Sequence, residues 1–153
     1  MENVALVFHL FGAFLLFGGM AVVGVAFEAA RRRQTPSDVA LLLGLTRIGV
    51  LLVGLGTRLA AGFGLWLVAL GDVGYGAGWV DTSIGLLLAT LVAGSLGGRR
   101  PKQARQLAVA ERGQAQLSPE LRALLDDRLA RGLNNLSLLL IVAIVVLMVT
   151  RPG

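Results

Sequence analysis

Four long runs of apolar residues alternate with polar segments along this chain. The runs cover about residues 4–30, 39–70, 79–97 and 133–150. About 20 apolar residues are enough to cross a bilayer as a helix. The pattern therefore predicts an all-α polytopic membrane protein, in which a bundle of four transmembrane helices forms a single domain over residues 1–153.

The second run is too long for a bilayer. At 1.5 Å per residue it extends to nearly 50 Å, whereas a hydrocarbon core is about 30 Å thick. The helix could tilt, kink at a glycine, or begin in the interface. The third option places Arg47 near the inner boundary and Arg58 deep in the membrane. A competing register spans Val39–Thr57 and places Arg47 in the middle instead.

The polar segments before the second and fourth runs carry helix start signals. Thr35-Pro36 breaks the first helix, and Ser37 or Asp38 is suited to cap the second. Residues 99–132 are arginine-rich and helical in pattern, with a helix start at Ser118-Pro119-Glu120. The apolar face of that segment consists of Leu121, Leu124, Leu125 and Leu129. We expect an amphipathic helical segment that lies along the inner membrane surface.

Basic residues decide the predicted orientation. Eleven of the fourteen fall in residues 31–38 and 99–132, and the loop between the second and third runs has none. Because cytoplasmic loops are enriched in arginine and lysine, we expect both loops in the cytoplasm and both termini outside.

Composition narrows the class of partner. A hydrophobic content of 56%, a mean hydropathy of +0.77 and only 15% charged residues exclude a soluble protein. The chain has no cysteine, so disulfides, thiolate metal sites and cysteine nucleophiles are excluded. The net charge is +5, and the basic residues lie mainly beside the ends of the apolar runs. This distribution favours anionic lipids at the cytoplasmic face over nucleic acid as the binding partner.

Small residues four apart predict the faces on which the helices pack. On the second helix Gly54 and Gly62 flank Arg58 and share its face with Arg47, so this face is expected to point inward. The other predicted packing residues are Gly12, Gly19, Gly85, Ala89, Ala93 and Gly97. These rows are equally suited to contacts in a homodimer.

Each of the first three helices places an ionisable residue on such a face. His9 is the only histidine, and it is either a haem ligand or a residue bonded to Asp81 or to a neighbouring helix carbonyl. Arg58 either binds an anionic group, such as a propionate, or is structural and snorkels. Asp81 is either a proton-handling carboxylate or a helix cap. Asn134 and Asn135 supply polar groups at the start of the fourth helix, and no metal site is expected.

Several short motifs together resemble a known family. They are HLFGAF, GFGLWL, GWVDTSIGLLLA, RRPKQAR and VLMVTRP. The set is similar to the bacterial predicted integral-membrane family known as domain of unknown function 2269, which implies a location in the inner membrane but no activity. A looser resemblance to the copper-resistance D proteins and to four-helix protoporphyrinogen oxidases implies haem, porphyrin or copper chemistry at His9. This chain lacks the second histidine and the methionine pair that copper handling would require.

Three functional hypotheses follow. No Walker, Rossmann, HExxH or GxSxG pattern occurs, so an enzyme with such a site is excluded. The first hypothesis is a non-enzymatic ligand-binding, assembly or accessory subunit of the membrane. The alternative is a haem- or porphyrin-binding redox protein that uses His9, with Arg58 as the anion partner. A further alternative is a dimeric transporter or ion pathway through Asp81 and Arg58.

Overall fold

The computed structural model describes residues 1–71 and 78–150, and within these ranges all regular structure is helical. The helices are α1 (Glu2–Arg31), α2 (Pro36–Leu70), α3 (Gly78–Gly97), α4 (Arg99–Ala110), α5 (Pro119–Leu125) and α6 (Arg128–Thr150). Four helical segments are long and apolar enough to cross a membrane. They are α1, α2, the segment Gly78–Ala110, which contains α3 and α4, and the segment Pro119–Thr150, which contains α5 and α6. The predicted all-α membrane fold is therefore confirmed.

The spanning helices pack as two antiparallel hairpins. One consists of α1 and α2, the other of α3 and α6, and the contacts within each hairpin far exceed those between them. The α1 face that meets α2 repeats every seven residues, with Ala5, Gly12, Gly19 and Ala26 all buried. A seven-residue repeat keeps one stripe of a helix against its partner when the two helices coil gently around each other.

Glycines bring the backbones of α1 and α2 into direct contact. A Cβ atom added to Gly12 would lie 2.9 Å from the Gly56 carbonyl oxygen, and one added to Gly56 would lie 2.6 Å from that of Gly12. Gly19 and Gly49 form the same reciprocal pair, with distances of 2.6 and 2.8 Å. No other residue fits these positions without separating the helices, so this glycine seam sets the spacing of the first hairpin.

The second hairpin uses small hydroxyl residues at the same seven-residue spacing. Ser83, Thr90 and Gly97 are buried on α3, and Ser137 is buried on α6. Each hydroxyl donates to a carbonyl four residues earlier in its own helix, as in the 2.8 Å bond from Thr90 to Leu86. These side chains are therefore satisfied locally, and close packing joins the two helices.

The predicted four-residue packing rows are wrong in several places. Nothing lies within 4 Å of a Cβ added to Gly62 or Gly85, and at Gly54 only the side chain of Arg58 does. Ala89 is also exposed. The structure instead places Ala93 and Gly97 in the α3–α6 contact. The seven-residue spacing selects a different helix face from the four-residue spacing, which accounts for the difference.

A compact apolar cluster closes one end of the molecule, which we call the basic end. There α4 and α5 pack on the last turn of α1 and the first two turns of α2. The side chains of Val39, Leu43, Leu121 and Leu125 are fully buried in this cluster. The prediction that the leucine face of α5 lies on the membrane surface is therefore wrong, because that face is covered by the protein's own helices. Leu129 lies on α6 and is exposed.

Ion pairs at the basic end connect this helical layer to both hairpins. Arg31 contacts Asp126 at 3.2 Å, and Arg100 contacts Asp127 at 3.1 Å. Arg122 donates to the Arg31 carbonyl at the end of α1, also at 3.1 Å. Together with the cluster, these bonds position the two hairpins at one end. Towards the opposite, distal end the described parts of the hairpins have few mutual contacts.

Helix caps show which start signals are used. Ser118 accepts from the backbone N–H of Leu121 at 3.1 Å, which confirms the predicted start of α5. At the start of α2 the cap is Thr35, which accepts from the Asp38 N–H at 3.3 Å, so the prediction of Ser37 or Asp38 is wrong. Pro36 takes the first helical position, which makes the residue before it, Thr35, the cap. Ser37 instead donates to the Arg112 carbonyl at 2.8 Å.

The glycine seam predicts opposite effects for two adjacent glycines. Gly19→Ala places a methyl group 2.6 Å from the Gly49 carbonyl oxygen and should lower the free energy of unfolding by about 1–3 kcal/mol. Gly18→Ala meets nothing within 4 Å and should be neutral or slightly stabilising. Reversible unfolding of the purified protein in mixed micelles measures both. Equal effects of the two substitutions would contradict the seam.

Candidate functional site

The two intramembrane arginines lie on one exposed face of α2. At 100° per residue, Arg47, Gly54, Arg58 and Gly62 fall between about 160° and 240° from Gly56 around the helix. We call these four residues the arginine face. Both arginines are exposed, and neither guanidinium forms a hydrogen bond or ion pair with another described residue.

The prediction that this face points into the protein's own bundle is wrong over its length in the membrane. Gly49 and Gly56 allow α1 to pack closely against the opposite side of α2, because only there can the two backbones touch. Nearer the basic end, Ala40 occupies the same sector as the arginines and Leu43 lies beside that sector, and both are covered by α4 and α5. The same side of α2 is therefore buried under α4 and α5 near the basic end and is uncovered further along the helix, where the arginine face lies.

The Arg58 side chain lies along α2 towards the basic end. Its Nη1 atom is 4.0 Å from the position of a Cβ on Gly54, one turn earlier in the helix. The side chain therefore extends away from the distal end, where His9 lies. Since the chain enters α2 at the basic end, the guanidinium is turned away from the nearer helix end and towards the middle of the span.

His9 bridges α1 and α2. Its Nδ1 atom is 2.8 Å from the Ala60 carbonyl oxygen, and the ring fits over Gly64, where a Cβ would lie 3.0 Å from Nδ1 and Cε1. A carbonyl oxygen only accepts, so Nδ1 is the donor of this bond, and the tautomer that makes it has its lone pair on Nε2. Of the predicted partners, the structure shows the helix carbonyl and not Asp81.

Aromatic rings surround this part of the first hairpin. Phe8 stacks on Phe63 with ring centroids 4.8 Å apart, and Phe63 contacts Trp66 at 5.7 Å. These rings lie beside His9 on α1 and beside Gly64 on α2. They add apolar contact at the distal end of the seam, where α2 no longer has a glycine pair.

The structure does not bring His9 and Arg58 together. His9 bonds to Ala60 and its ring lies over Gly64, whereas the Arg58 guanidinium lies near Gly54, further towards the middle of the span. Ala60 and Arg58 are also on opposite sides of α2, about 160° apart. Arg58 therefore lies deeper than His9, and a ligand on His9 cannot also contact Arg58 of the same chain.

The remaining predicted polar residues lie apart from these two. Asp81 is exposed in the first turn of α3, and its carboxylate forms no hydrogen bond with another described residue. Asn134 and Asn135 are exposed on α6, where the Asn134 backbone lies near Gly97. Over residues 1–71 and 78–150 no three acidic or histidine side chains are grouped to hold a metal ion.

Two open grooves lie at the basic end. One is lined by Gly24, Val25, Glu28, Ala29, Arg32 and Arg33, and the other by Arg100, Gln103, Gln106, Leu107, Glu120 and Leu124. Within the first, Glu28 is paired with Arg31 at 2.7 Å and Arg32 at 3.3 Å. Neither groove includes His9, Arg58 or Asp81.

Sequence reasoning missed the residues that position His9 and the arginine face. Gly49, Gly56, Ala60 and Gly64 were not among the predicted packing positions. The available signal was the seven-residue interval shared by Gly12–Gly19 and Gly49–Gly56. Two helices joined by a short loop with matching glycine intervals favour an antiparallel pair, whichever four-residue rows are also present.

The contact between His9 and Gly64 can be tested with a double-mutant cycle. Gly64→Ala should destabilise the protein, because its methyl group would displace the imidazole from the Ala60 carbonyl. In a His9→Ala background the same methyl group should cost nothing, which gives a coupling energy of at least about 0.5 kcal/mol. Unfolding in mixed micelles provides the four stabilities. Additive effects would show that the ring does not lie over Gly64.

Comparison with known proteins places the chain by a family model. No curated protein and no solved structure matches the chain. A family model described as a predicted integral membrane protein, DUF2269, matches residues 3–152. The family predicted from the short motifs is thereby confirmed, and similarity to the copper-resistance D proteins and protoporphyrinogen oxidases stays a prediction. The chain belongs to the DUF2269 family of predicted integral membrane proteins.

Proposed function

We propose that this protein is a non-enzymatic accessory or assembly subunit of the bacterial inner membrane, and that it binds its partner through the arginine face of α2. The observation that carries this proposal is the exposure of Arg47 and Arg58 within an apolar span, without a described partner. The family supplies no activity that competes with it.

The cost of intramembrane charge supports a covered face in the working state. An arginine at the centre of a spanning helix costs about 2.5–3.5 kcal/mol on insertion scales, and more in simulations of isolated helices. A second arginine on the same face adds to that cost by an amount that falls with its distance from the centre of the span. Binding of an anionic group removes part of it, and the nearby Gly54 and Gly62 leave open space in which another chain can approach.

A cross-linking experiment in native membranes tests the docking role. A photoreactive residue at Leu55, beside the arginine face, should give a specific adduct that is lost in Arg58→Gln. The same residue at Phe14, which is 75% exposed on α1, should give no adduct that depends on Arg58. Equal adducts at both positions, or adducts at Leu55 that persist in Arg58→Gln, would contradict the proposal.

The proposed orientation places the basic end in the cytoplasm and both termini outside. Exposed basic residues at this end, including Arg33, Arg99 and Lys102, are suited to contact anionic lipids there.

The absence of native cysteine allows a direct test of this orientation with single cysteines. A membrane-impermeant thiol reagent added to intact spheroplasts should label Asn3→Cys but not Gln114→Cys, and should label both after permeabilisation. The reverse pattern would invert the topology.

His9 supports a second candidate, a haem- or porphyrin-binding redox protein. The bond from Nδ1 to the Ala60 carbonyl orients the ring and leaves Nε2 as the nitrogen that could bind iron. Arg58 is not part of this candidate, since it lies on the other side of α2. A second axial ligand would have to come from another chain or molecule, because His9 is the only histidine.

The visible spectrum separates the two candidates. If His9 binds haem, protein purified from haem-replete cells should show a Soret band that is lost in His9→Ala and unchanged in Arg58→Gln. Colourless wild-type protein would exclude the haem candidate. It would leave the docking role unaffected.

A further inference from the structure

We infer that the partner of the arginine face is a transmembrane helix of a different protein, and that this helix carries a carboxylate near the middle of the membrane. The inference rests on the docking role proposed above and specifies its chemistry. It follows from the depth of the arginines, the direction of Arg58, the open glycines and the distribution of acidic residues in the chain.

Both arginines lie well inside the apolar span. The seam contacts place Arg58 between the levels of His9 and Gly12 on α1, at least about 10 Å from Glu2. The Gly19–Gly49 contact places Arg47 about 10 Å from Glu28 by the same measure. Glu2 and Glu28 are the charged residues on either side of the apolar stretch of α1 and mark its ends, so lipid phosphates lie beyond both arginines.

The direction of Arg58 favours a deep anion over a lipid headgroup. An arginine that reaches for a phosphate extends its stem towards the nearer membrane surface. Arg58 instead lies over Gly54, towards Arg47 and the middle of the span. A carboxylate between the two arginines would therefore contact the guanidinium without rearrangement of the helix.

The glycines favour a helix over a lipid chain. Gly62 has no neighbour within 4 Å of an added Cβ, and Gly54 has only the Arg58 side chain. Glycines on an exposed face allow another backbone to approach closely, as Gly12 and Gly56 do in the first hairpin. Lipid tails adapt to any apolar surface and gain nothing comparable from such gaps.

The described residues of a second copy offer no carboxylate at this depth. No acidic residue occurs within positions 3–27 of α1, 39–70 of α2, 82–97 of α3 or 128–150 of α6. Asp81 is about 4 Å from the distal start of α3, whereas Arg58 is about 18 Å from the distal end of α2. Glu28 lies at the basic end and is already paired with Arg31 and Arg32.

Model peptides in vesicles test this inference with the full-length protein. The probes are two dye-labelled 21-residue leucine-alanine transmembrane peptides that differ at their central residue, which is glutamate in one and glutamine in the other. Energy transfer to the labelled protein in phosphatidylcholine vesicles measures binding. The glutamate peptide should bind about tenfold more tightly than the glutamine peptide, as expected for one strong polar contact between helices in a membrane.

Matched variants assign the effect to the arginine face. Arg58→Gln should abolish the preference for glutamate, and Arg33→Gln, an exposed arginine of the basic end, should preserve it. If both peptides bind equally and Arg58→Gln weakens both, the arginine face binds helices whether or not they carry a carboxylate. The carboxylate inference then fails while the docking role stands. If neither peptide depends on Arg58 while cross-linking at Leu55 still does, the carboxylate inference also fails.

Two further outcomes would replace the inferred partner. If phosphatidylglycerol vesicles abolish the glutamate preference, an anionic lipid occupies the face. If energy transfer between two labelled copies of this protein falls in Arg58→Gln, the occupant is a second copy. Either result overturns the inference of a carboxylate-bearing helix from another protein.

Discussion

Direct contact between the backbones of α1 and α2 is the constraint on which the rest of the molecule depends. Gly12 with Gly56, and Gly19 with Gly49, leave no room for a methyl group between the helices. In a bilayer, where apolar burial contributes little to helix association, such close packing is a main source of stability. Because the seam uses one side of α2, it also decides that Arg47 and Arg58 are on the other side.

The helical layer at the basic end covers only part of the arginine side of α2. The cluster around Leu43, Leu121 and Leu125 covers the arginine side of α2 for only its first turns, and the ion pairs of Asp126 and Asp127 connect the covering layer to the hairpins. Beyond this layer the described parts of the hairpins have few contacts with each other. The arginine side of α2 is thus buried at the basic end and exposed within the membrane, where it carries Arg47 and Arg58. The proposed docking role explains why such a costly surface is present.

Hydrophobic patterning was sufficient to predict the fold class, because long apolar runs have few alternatives in a bilayer. Ser118 was also predictable, since a capping serine followed by proline has a local meaning. Packing faces were not, because Gly54 and Gly62 satisfy a four-residue rule as well as Gly49 and Gly56 satisfy a seven-residue rule. The leucines of α5 were ambiguous for a related reason, since an apolar helix face can be covered by lipid or by protein. The bond from His9 to Ala60 required the helix pairing to be known.

The accessibility of α2 to lipid tests the central claim most directly. Nitroxide labels at Leu51 and Val53 would lie two residues apart, the first on the arginine side and the second beside Gly19. In isolated protein reconstituted at low density, collision with molecular oxygen should be frequent at Leu51 and strongly reduced at Val53. If Leu51 is the protected position, another part of the chain covers the arginine face, and an exposed docking surface is contradicted.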